Sequence, residues 1–476
     1  KPSHCRKMLI LRNPDPGHLG MILMNFPFFH NKRWHLLLLF ILVGVAFFPA
    51  LKNEFTHWDD NLFVEDNLLV KNLSWSSLWT MFSTLQVGFY HPLTLLSFSL
   101  EYNVFGANPI AFHTTNVVLH LANTLLAFLF LFSLRKNFFL AFGAALLFGI
   151  HPLRVESVAW ISGRKDVLAG FFFFLSLLSY LRYIDEKDNR FYYGSVFCSA
   201  LCFMAKPICL LQPFLLLLID FYRSRSFCLK LLLEKLPFFF ISLLFGILTI
   251  KAQHEFGTIQ DTFFIPLWQR GFMSGYILIF YLWKLIWPVN LAIAYPYPPL
   301  PADALPPWLL SGFICSGILL AALVWAFKRD KIDLVFGGSF FLILIVPNLQ
   351  TIPVGGAMAY DRYTYLPALG FFFLAILLVQ YGREKLLLFP IARTASAIGC
   401  ILISLSLCNL TRARCEVWKD SMSLWNDELE QFPKFGSFLM NRGVDFLTAG
   451  KFVLALEDFE NSLKNTDPSK HSFIHF

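Results

Sequence analysis

The sequence predicts an all-α polytopic membrane protein of about eleven spans, and three observations carry that expectation. Nearly every stretch from Trp34 to Leu410 belongs to an apolar run long enough, or nearly so, to cross a hydrocarbon core of about 30 Å as a helix. The chain is 57% hydrophobic, with 56 Phe among 476 residues and a mean hydropathy of +0.59, more apolar surface than a soluble core of that size would hide. Its basic groups recur between the apolar runs without forming a stripe, so the net charge of +8 reads as membrane orientation and not as affinity for nucleic acid.

Segment 1–33 ends in Lys32 and Arg33 and is expected on the cytoplasmic side. Its opening, 1-KPSHCRKMLILRNPDPGHLGMILMNF-26, lacks the cleavage pattern of a signal peptide and reads as upstream sequence ahead of a start at Met21 or Met24. The spans follow at 34–51, 110–133, 138–151, 166–184, 191–205, 208–222, 236–251, 308–327, 332–348, 363–381 and 386–410. Basic groups at Arg135 and Lys136, around 182–190, in 223-RSRSFCLK-230, in 328-KRDK-331 and in 383-REK-385 are cytoplasmic by the positive-inside rule. The loops 52–109, 152–165, 252–307 and 349–362 then lie outside, with the tail 411–476. The run 272-FMSGYILIFYLWKLIWP-288 would invert this parity if it crossed, so 263–290 is expected as a partly embedded or re-entrant helix on the outer face. The nine Cys are scattered, mostly inside apolar runs, without a CxxC pair, and read as small hydrophobes.

Past Leu410 the composition turns polar with a helical pattern. Segment 437–468 places Gly443, Phe446, Gly450, Phe452, Ala455 and Phe459 ahead of Asp467-Pro468, spacing that resembles one tetratricopeptide repeat. One repeat cannot bury a continuous core, so either 412–436 supplies a partner helix or further repeats belong to the array.

The polar residues of the expected outer loops are the functional candidates. In 54-EFTHWDDNLFVED-66, Asp59 and Asp60 stand a few residues past the first span, either as a solvated acidic loop or as a site. Loop 150-IHPLRVESVAWISGRKDVLAG-170 carries His151, Arg154, Glu156, Arg164, Lys165 and Asp166 on the side where the orientation rule disfavours Arg and Lys. An anionic partner at the interface, such as a lipid phosphate, accounts for cations there, and the planar fork of Arg suits it. Span 110–133 places His113, Asn116, His120 and Asn123 on one helical face. That stripe either satisfies neighbouring helices or lines a hydrophilic cavity. No metal site is expected, since nothing resembles HExxH. Lys206 lies at the turn of a short hairpin, and Asp361-Arg362 at the mouth of a later span.

The segments 58-WDDN-61, 90-YHPLTLLSF-98, 112-FHTTNVVLH-120, 151-HPLRVESVAWISGRKDVLA-169, 206-KPICLLQPFLLLLID-220 and 360-YDRYTYLPALGFF-372, followed by the repeat, resemble the transmembrane-and-tetratricopeptide-repeat (TMTC-like) O-mannosyltransferases and their bacterial relatives, members of the GT-C glycosyltransferases. The resemblance implies a GT-C-type helix bundle over 34–410. It also implies an enzyme that moves a sugar, mannose or another hexose, from a polyprenyl-phosphate donor in the membrane to Ser/Thr hydroxyls of an exported protein on the lumenal or periplasmic face. The membrane is then a bacterial inner membrane or the endoplasmic reticulum. It implies Asp59 or Asp60 as base, and Arg164, Lys206 and Arg362, backed by Arg154 and Lys165, as cations for the donor phosphate. Glu156, Asp166, His91, His151, His113, His120, Asp361 and Tyr360 support them. The implied partners are the lipid donor and a protein acceptor held by the repeat, with no nucleic acid and no required cofactor, a divalent cation being compatible. The alternative is a GT-C enzyme that glycosylates a lipid or a cell-surface polysaccharide. A transporter should show repeated halves with broken helices at the midplane, and a non-catalytic scaffold would have no use for the acidic loop and outer cations.

Overall fold

The computed structural model describes residues 33–465 apart from 87, 256–265, 299, 301–303, 352–355 and 387–389. The N-terminal segment before Arg33 and the Asp467-Pro468 pair lie outside the described residues. Among the described residues every regular element is a helix.

Each expected span overlaps a helix among the described residues, but not all of those helices are long and apolar enough to cross a membrane. Six helices are long and apolar enough to cross a membrane: Trp34–Lys52, Pro109–Arg135, Ile161–Glu186, Leu229–Glu255, Pro307–Lys328 and Thr394–Val417. The bent pair Phe138–Ile150 and Pro152–Ala159 makes a seventh if counted as one span, while Gln212–Tyr222 and Ile332–Asn348 are shorter apolar helices. Residues 272–286 of the run 272–288 lie in one unbroken helix, Leu267–Ile286. This helix crosses Pro307–Lys328 with almost no space between the backbones: a Cβ on Gly275 would lie 2.8 Å from Phe313 Cα, and one on Gly312 would lie 2.7 Å from Tyr276 Cα.

One bend sets up the polar end of the bundle. Pro152 cannot continue the helix ending at Ile150 and holds His151 extended, so the chain turns by 62°. His151 Nδ1 then accepts from the Leu153 N–H at 3.3 Å. The turns that follow deliver Arg164, Lys165 and Asp166 into the first turn of the helix Arg164–Glu186.

The tail packs against the bundle. The helix Pro390–Val417 continues through the change of composition at Leu410. Thr411 Oγ1 donates to Ile150 O at 2.6 Å, and Arg412 to Val45 O at 2.7 Å. The partner helix expected in 412–436 is Ser421–Gln431, whose Trp425 meets Phe438 at 6.3 Å between ring centroids. Beyond it, Gly436–Thr448 and Phe452–Asn465 pair as a hairpin. Gly443 makes that pairing possible, because a Cβ there would stand 2.6 Å from the Phe459 ring.

Candidate functional site

The acidic loop is fastened on two sides. Upstream of Asp59, Asn53 Nδ2 donates to Cys415 O at 3.0 Å and the Glu54 N–H to Lys419 O at 2.8 Å. The His57 N–H donates to Ser421 Oγ at 2.9 Å, the His57 ring pairs with Asp445, and Trp58 meets Trp425 edge-on at 5.8 Å. The tail thus holds the residues that precede the acidic pair. Asp445, which also accepts from Trp425 Nε1 at 2.5 Å, raises the pKa of His57 through that hydrogen bond, against the lowering effect of burial. A cavity of about 670 Å³ opens at this junction, lined by Glu54, His57, Glu65, Asp420 and Asp445 among others.

The two aspartates have different environments. Asp60 is 0% exposed. One of its carboxylate oxygens accepts from Thr56 N–H and Oγ1 at 2.9 and 3.0 Å, the other from Ser162 N–H and Oγ at 2.9 and 2.6 Å. Burial pushes its carboxyl up to about 6 against the pull of those donors. Asp60 therefore ties the loop to the turn that precedes Arg164. Asp59 is 28% exposed, and its Oδ2 lies 3.3 Å from Lys165 Nζ.

Three of the five expected cations meet near Asp59. Lys165 stands over the rings of Trp160, Phe63 and Phe89, with its Nζ 4.6, 4.9 and 5.7 Å from their centroids. Arg362 covers Trp160 as well, at 5.6 Å, stacks on Tyr360 at 4.1 Å and is paired with Glu156. Its backbone N–H also donates to Glu156 Oε2 at 2.6 Å. Lys206 donates to Asp166 Oδ1 at 2.6 Å; burial lowers its pKa, offset in part by Asp166 and reinforced by Arg362 and Lys165. Arg362 and Lys206 keep 13% and 14% of their side-chain surface. Asp166 Oδ2 and Trp160 Nε1 are buried in this group without a hydrogen-bond partner.

Arg164 and Arg154 are instead committed inside the bundle. Arg164 is fully buried, paired with Glu101 at 2.7 Å and donating to Asn116 Oδ1 and to Phe112 O at 2.9 Å. Arg154, also fully buried, donates to Thr364 O at 2.8 Å and to Tyr365 O, and so anchors the turn 361–365. A phosphate would have to displace these partners. The four residues of the polar stripe make contacts inside the bundle, while His113 Nδ1 and Asn123 Oδ1 stay buried without a hydrogen-bond partner. His113 Nε2 lies 3.4 Å from Glu54 O, and Asn116 donates to Trp160 O at 2.9 Å. His120 meets Tyr365 OH and Gly149 O at 2.9 and 3.0 Å, and Asn123 donates to Val167 O at 2.8 Å. His151 Nε2 meets Leu285 O at 3.1 Å. Asp361 accepts from Tyr295 OH at 2.9 Å, and burial raises its pKa to about 7.

Sequence reasoning missed Glu101, Ser162, Trp160 and the tail residue Asp445. The turn 160-WISG-163 lies inside 151-HPLRVESVAWISGRKDVLA-169, so Trp160 and Ser162 stand within a segment that the sequence marks. Glu101 pairs with a residue 63 positions away, and nothing local marks it. Among the described residues no three His, Cys, Asp or Glu side chains are grouped to hold a metal.

Fold and site together define a helical membrane protein with an ionic cluster built around Asp59 at one end of its bundle. Comparison with known proteins narrows this class. The chain is 40% identical over 142 residues to the protein O-mannosyl-transferase TMTC1 of Mus musculus, covering 30% of this chain and 14% of that protein. It is 24% identical over 396 residues to the protein O-mannosyl-transferase F38B6.6 of Caenorhabditis elegans, covering 80% of this chain and 54% of that protein. The chain therefore spans about half the length of the nematode relative and a small part of the mouse one. The resemblance to TMTC-like O-mannosyltransferases, carried by the motifs above, is matched by these relatives. No protein-family model matches the chain. Among solved structures, ArnT from Cupriavidus metallidurans bound to undecaprenyl phosphate aligns at TM-score 0.41 and 13% identity, over 91% of this chain and 76% of that one. The apo oligosaccharyltransferase of Archaeoglobus fulgidus aligns at 0.45 and 13%, over 82% and 56%. These scores are too low to bear on function.

Proposed function

We propose that the protein is a GT-C glycosyltransferase that moves mannose or another hexose from a polyprenyl-phosphate donor to a Ser or Thr hydroxyl of an exported protein. It acts from an eleven-span bundle at the non-cytoplasmic face of its membrane, a bacterial inner membrane or the endoplasmic reticulum. The observation that carries this reading is the meeting of a half-open carboxylate, Asp59, with the buried cation Lys165 and the partly open cations Lys206 and Arg362.

In this reaction the acceptor hydroxyl oxygen attacks the anomeric carbon as the bond from that carbon to the phosphate oxygen breaks. Asp59 takes the hydroxyl proton, and the phosphate leaves with the bonding pair. The transition state resembles an oxocarbenium ion, and negative charge grows on the departing phosphate, where fixed cations stabilise it most effectively because they need no reorganisation. Lys165, Lys206 and Arg362 supply that charge; Glu156 and Asp166 hold Arg362 and Lys206. Asp60, with its four donors, positions the loop. The tetratricopeptide-like tail, which grips the residues before Asp59, is where the acceptor polypeptide docks.

The test is transfer in detergent from a polyprenyl-phosphate mannose to Ser/Thr peptides, with lipid and polysaccharide acceptors run in parallel. Peptide glycosylation that falls on the order of 100-fold in Asp59→Asn supports the reading. Transfer confined to lipid or polysaccharide would reassign the acceptor, and an Asp59→Asn enzyme as fast as wild type would remove Asp59 as base.

A further inference from the structure

His91 is a buried residue at the start of the helix Pro92–Phe105. It is 5% exposed, its Nδ1 has no hydrogen-bond partner among the described residues, and it makes no side-chain cap although it occupies the N-cap of the helix Pro92–Phe105. Its ring lies on Phe89, 5.1 Å between centroids and 16° from parallel. Lys165 Nζ stands 5.7 Å from the centroid of that same Phe89 ring. One turn into the helix, Thr94 Oγ1 donates to Ala205 O at 2.9 Å, which fixes the start of the helix beside Lys206. A helix N-terminus, an unpartnered imidazole and two cations therefore meet at one point.

Each of these parts favours an anion. Pro92 has no N–H, so the Leu93 and Thr94 N–H groups are the ones that lack carbonyl partners within the helix, and the helix dipole presents its positive end there. Burial, with Lys165 and Lys206 close by, holds the imidazole well below its ordinary pKa, so the ring is neutral and offers one N–H as a hydrogen-bond donor. Leaving a buried ring nitrogen unpaired costs stability that a purely structural position would avoid.

We propose that His91 and the first turn of the helix Pro92–Phe105 form a hydrogen-bonding recess that receives a phosphate group between Lys165 and Lys206. This inference rests on the donor chemistry proposed above and adds a binding residue to it. The shared chemistry is an anionic phosphate group, borne by the polyprenyl lipid or supplied as free inorganic phosphate.

The test measures thermal unfolding and binding of polyprenyl phosphate and of inorganic phosphate to detergent-solubilised full-length protein: wild type, His91→Phe and His91→Gln. Phe keeps the stack on Phe89 and removes the polar atoms, so His91→Phe should melt at or above the wild-type temperature yet bind polyprenyl phosphate about tenfold or more weakly, the loss expected for one hydrogen bond to a charged group. His91→Gln, which retains a donor, should recover part of that loss. Weaker binding of the polyprenyl form with inorganic phosphate unaffected identifies the lipid phosphate as the ligand; weakening of both identifies a general phosphate recess. Wild-type binding unchanged in His91→Phe would overturn the recess while leaving the transferase reading in place. A marked drop in melting temperature for His91→Phe would also overturn it, by showing that the ring nitrogen serves the fold. No phosphate binding by the wild type would defeat both proposals.

Discussion

The helix Arg164–Glu186 meets an ion cluster at each end. Toward its C-terminus, Tyr180 OH donates to both oxygens of Asp220 at 2.9 and 3.0 Å. Asp220 is paired with Arg225 at 2.8 Å and Lys235 at 2.6 Å, and Arg225 reaches on to Glu234 at 2.8 Å, which also accepts from Tyr183 OH at 2.9 Å. None of the side-chain atoms of these six residues is buried without a partner. At the N-terminal end, Lys165 and Asp166 meet Asp59 and Lys206, and there Asp166 Oδ2, Trp160 Nε1 and His91 Nδ1 remain unpaired. Both clusters are rich in charge. One is closed, with every demand met inside the protein, and acts as a clasp; the other keeps unmet hydrogen-bonding capacity beside partly exposed cations, which is what a ligand site requires.

Several substitutions break or sharpen this contrast. The largest effect is expected at the clasp: Lys235→Ala leaves the buried Asp220 with Arg225 as its remaining cation, a loss of up to about 3 kcal/mol, visible as a fall in the yield of folded protein and in its melting temperature. Arg164→Ala belongs with it, since Glu101 would likewise lose a paired cation, and a melting temperature equal to wild type would return Arg164 to the ligand-binding group. Next come the neighbouring aspartates. Asp59→Asn should cost about 100-fold in transfer with thermal unfolding unchanged, whereas Asp60→Asn, which turns an amide toward two of four donors, should lower the melting temperature as well as the rate; matching thermal profiles for the two variants would contradict their division of roles.

The smallest effect concerns the tail. His57 has a raised pKa in the folded protein, so its pairing with Asp445 contributes fully below the ordinary histidine value of about 6.5 and is lost as pH rises through the raised value. Hydrogen exchange of the amides in 53–60 should therefore quicken with rising pH in the wild type beyond the intrinsic chemical dependence. In His57→Gln that extra acceleration should be absent; its persistence would place the pH sensitivity elsewhere.

Much of the bundle could be read from apolar run length alone, because each run must pair its own backbone within a helix if it is to enter a membrane. What the runs could not reveal is which charges are finished. Arg164 and Lys165 are adjacent in 163-GRKD-166, yet one is sealed against Glu101 from another helix and the other faces a half-open aspartate. The 223-RSRSFCLK-230 segment read as an orientation signal, but Arg225 is the centre of the clasp, because Asp220 and Glu234 flank it once the chain turns back. Partner identity is tertiary information. The acidic pair was likewise visible as a motif, while the difference between Asp59 and Asp60 depends on Ser162, roughly a hundred residues away in the chain.

The account rests on one end of the helix being open to a ligand and the other being a clasp, and a paired substitution tests that most directly. Polyprenyl phosphate affinity and melting temperature would be measured for Lys165→Gln and Lys235→Gln in the full chain. Because Asp59 can be hydrated once its partner is gone, Lys165→Gln should bind the lipid phosphate roughly tenfold more weakly and melt close to wild type. Lys235→Gln should melt far lower while its folded fraction binds as wild type does. The reverse pattern, or an equal loss of stability in both variants with affinity untouched, would contradict the distinction between the two ends.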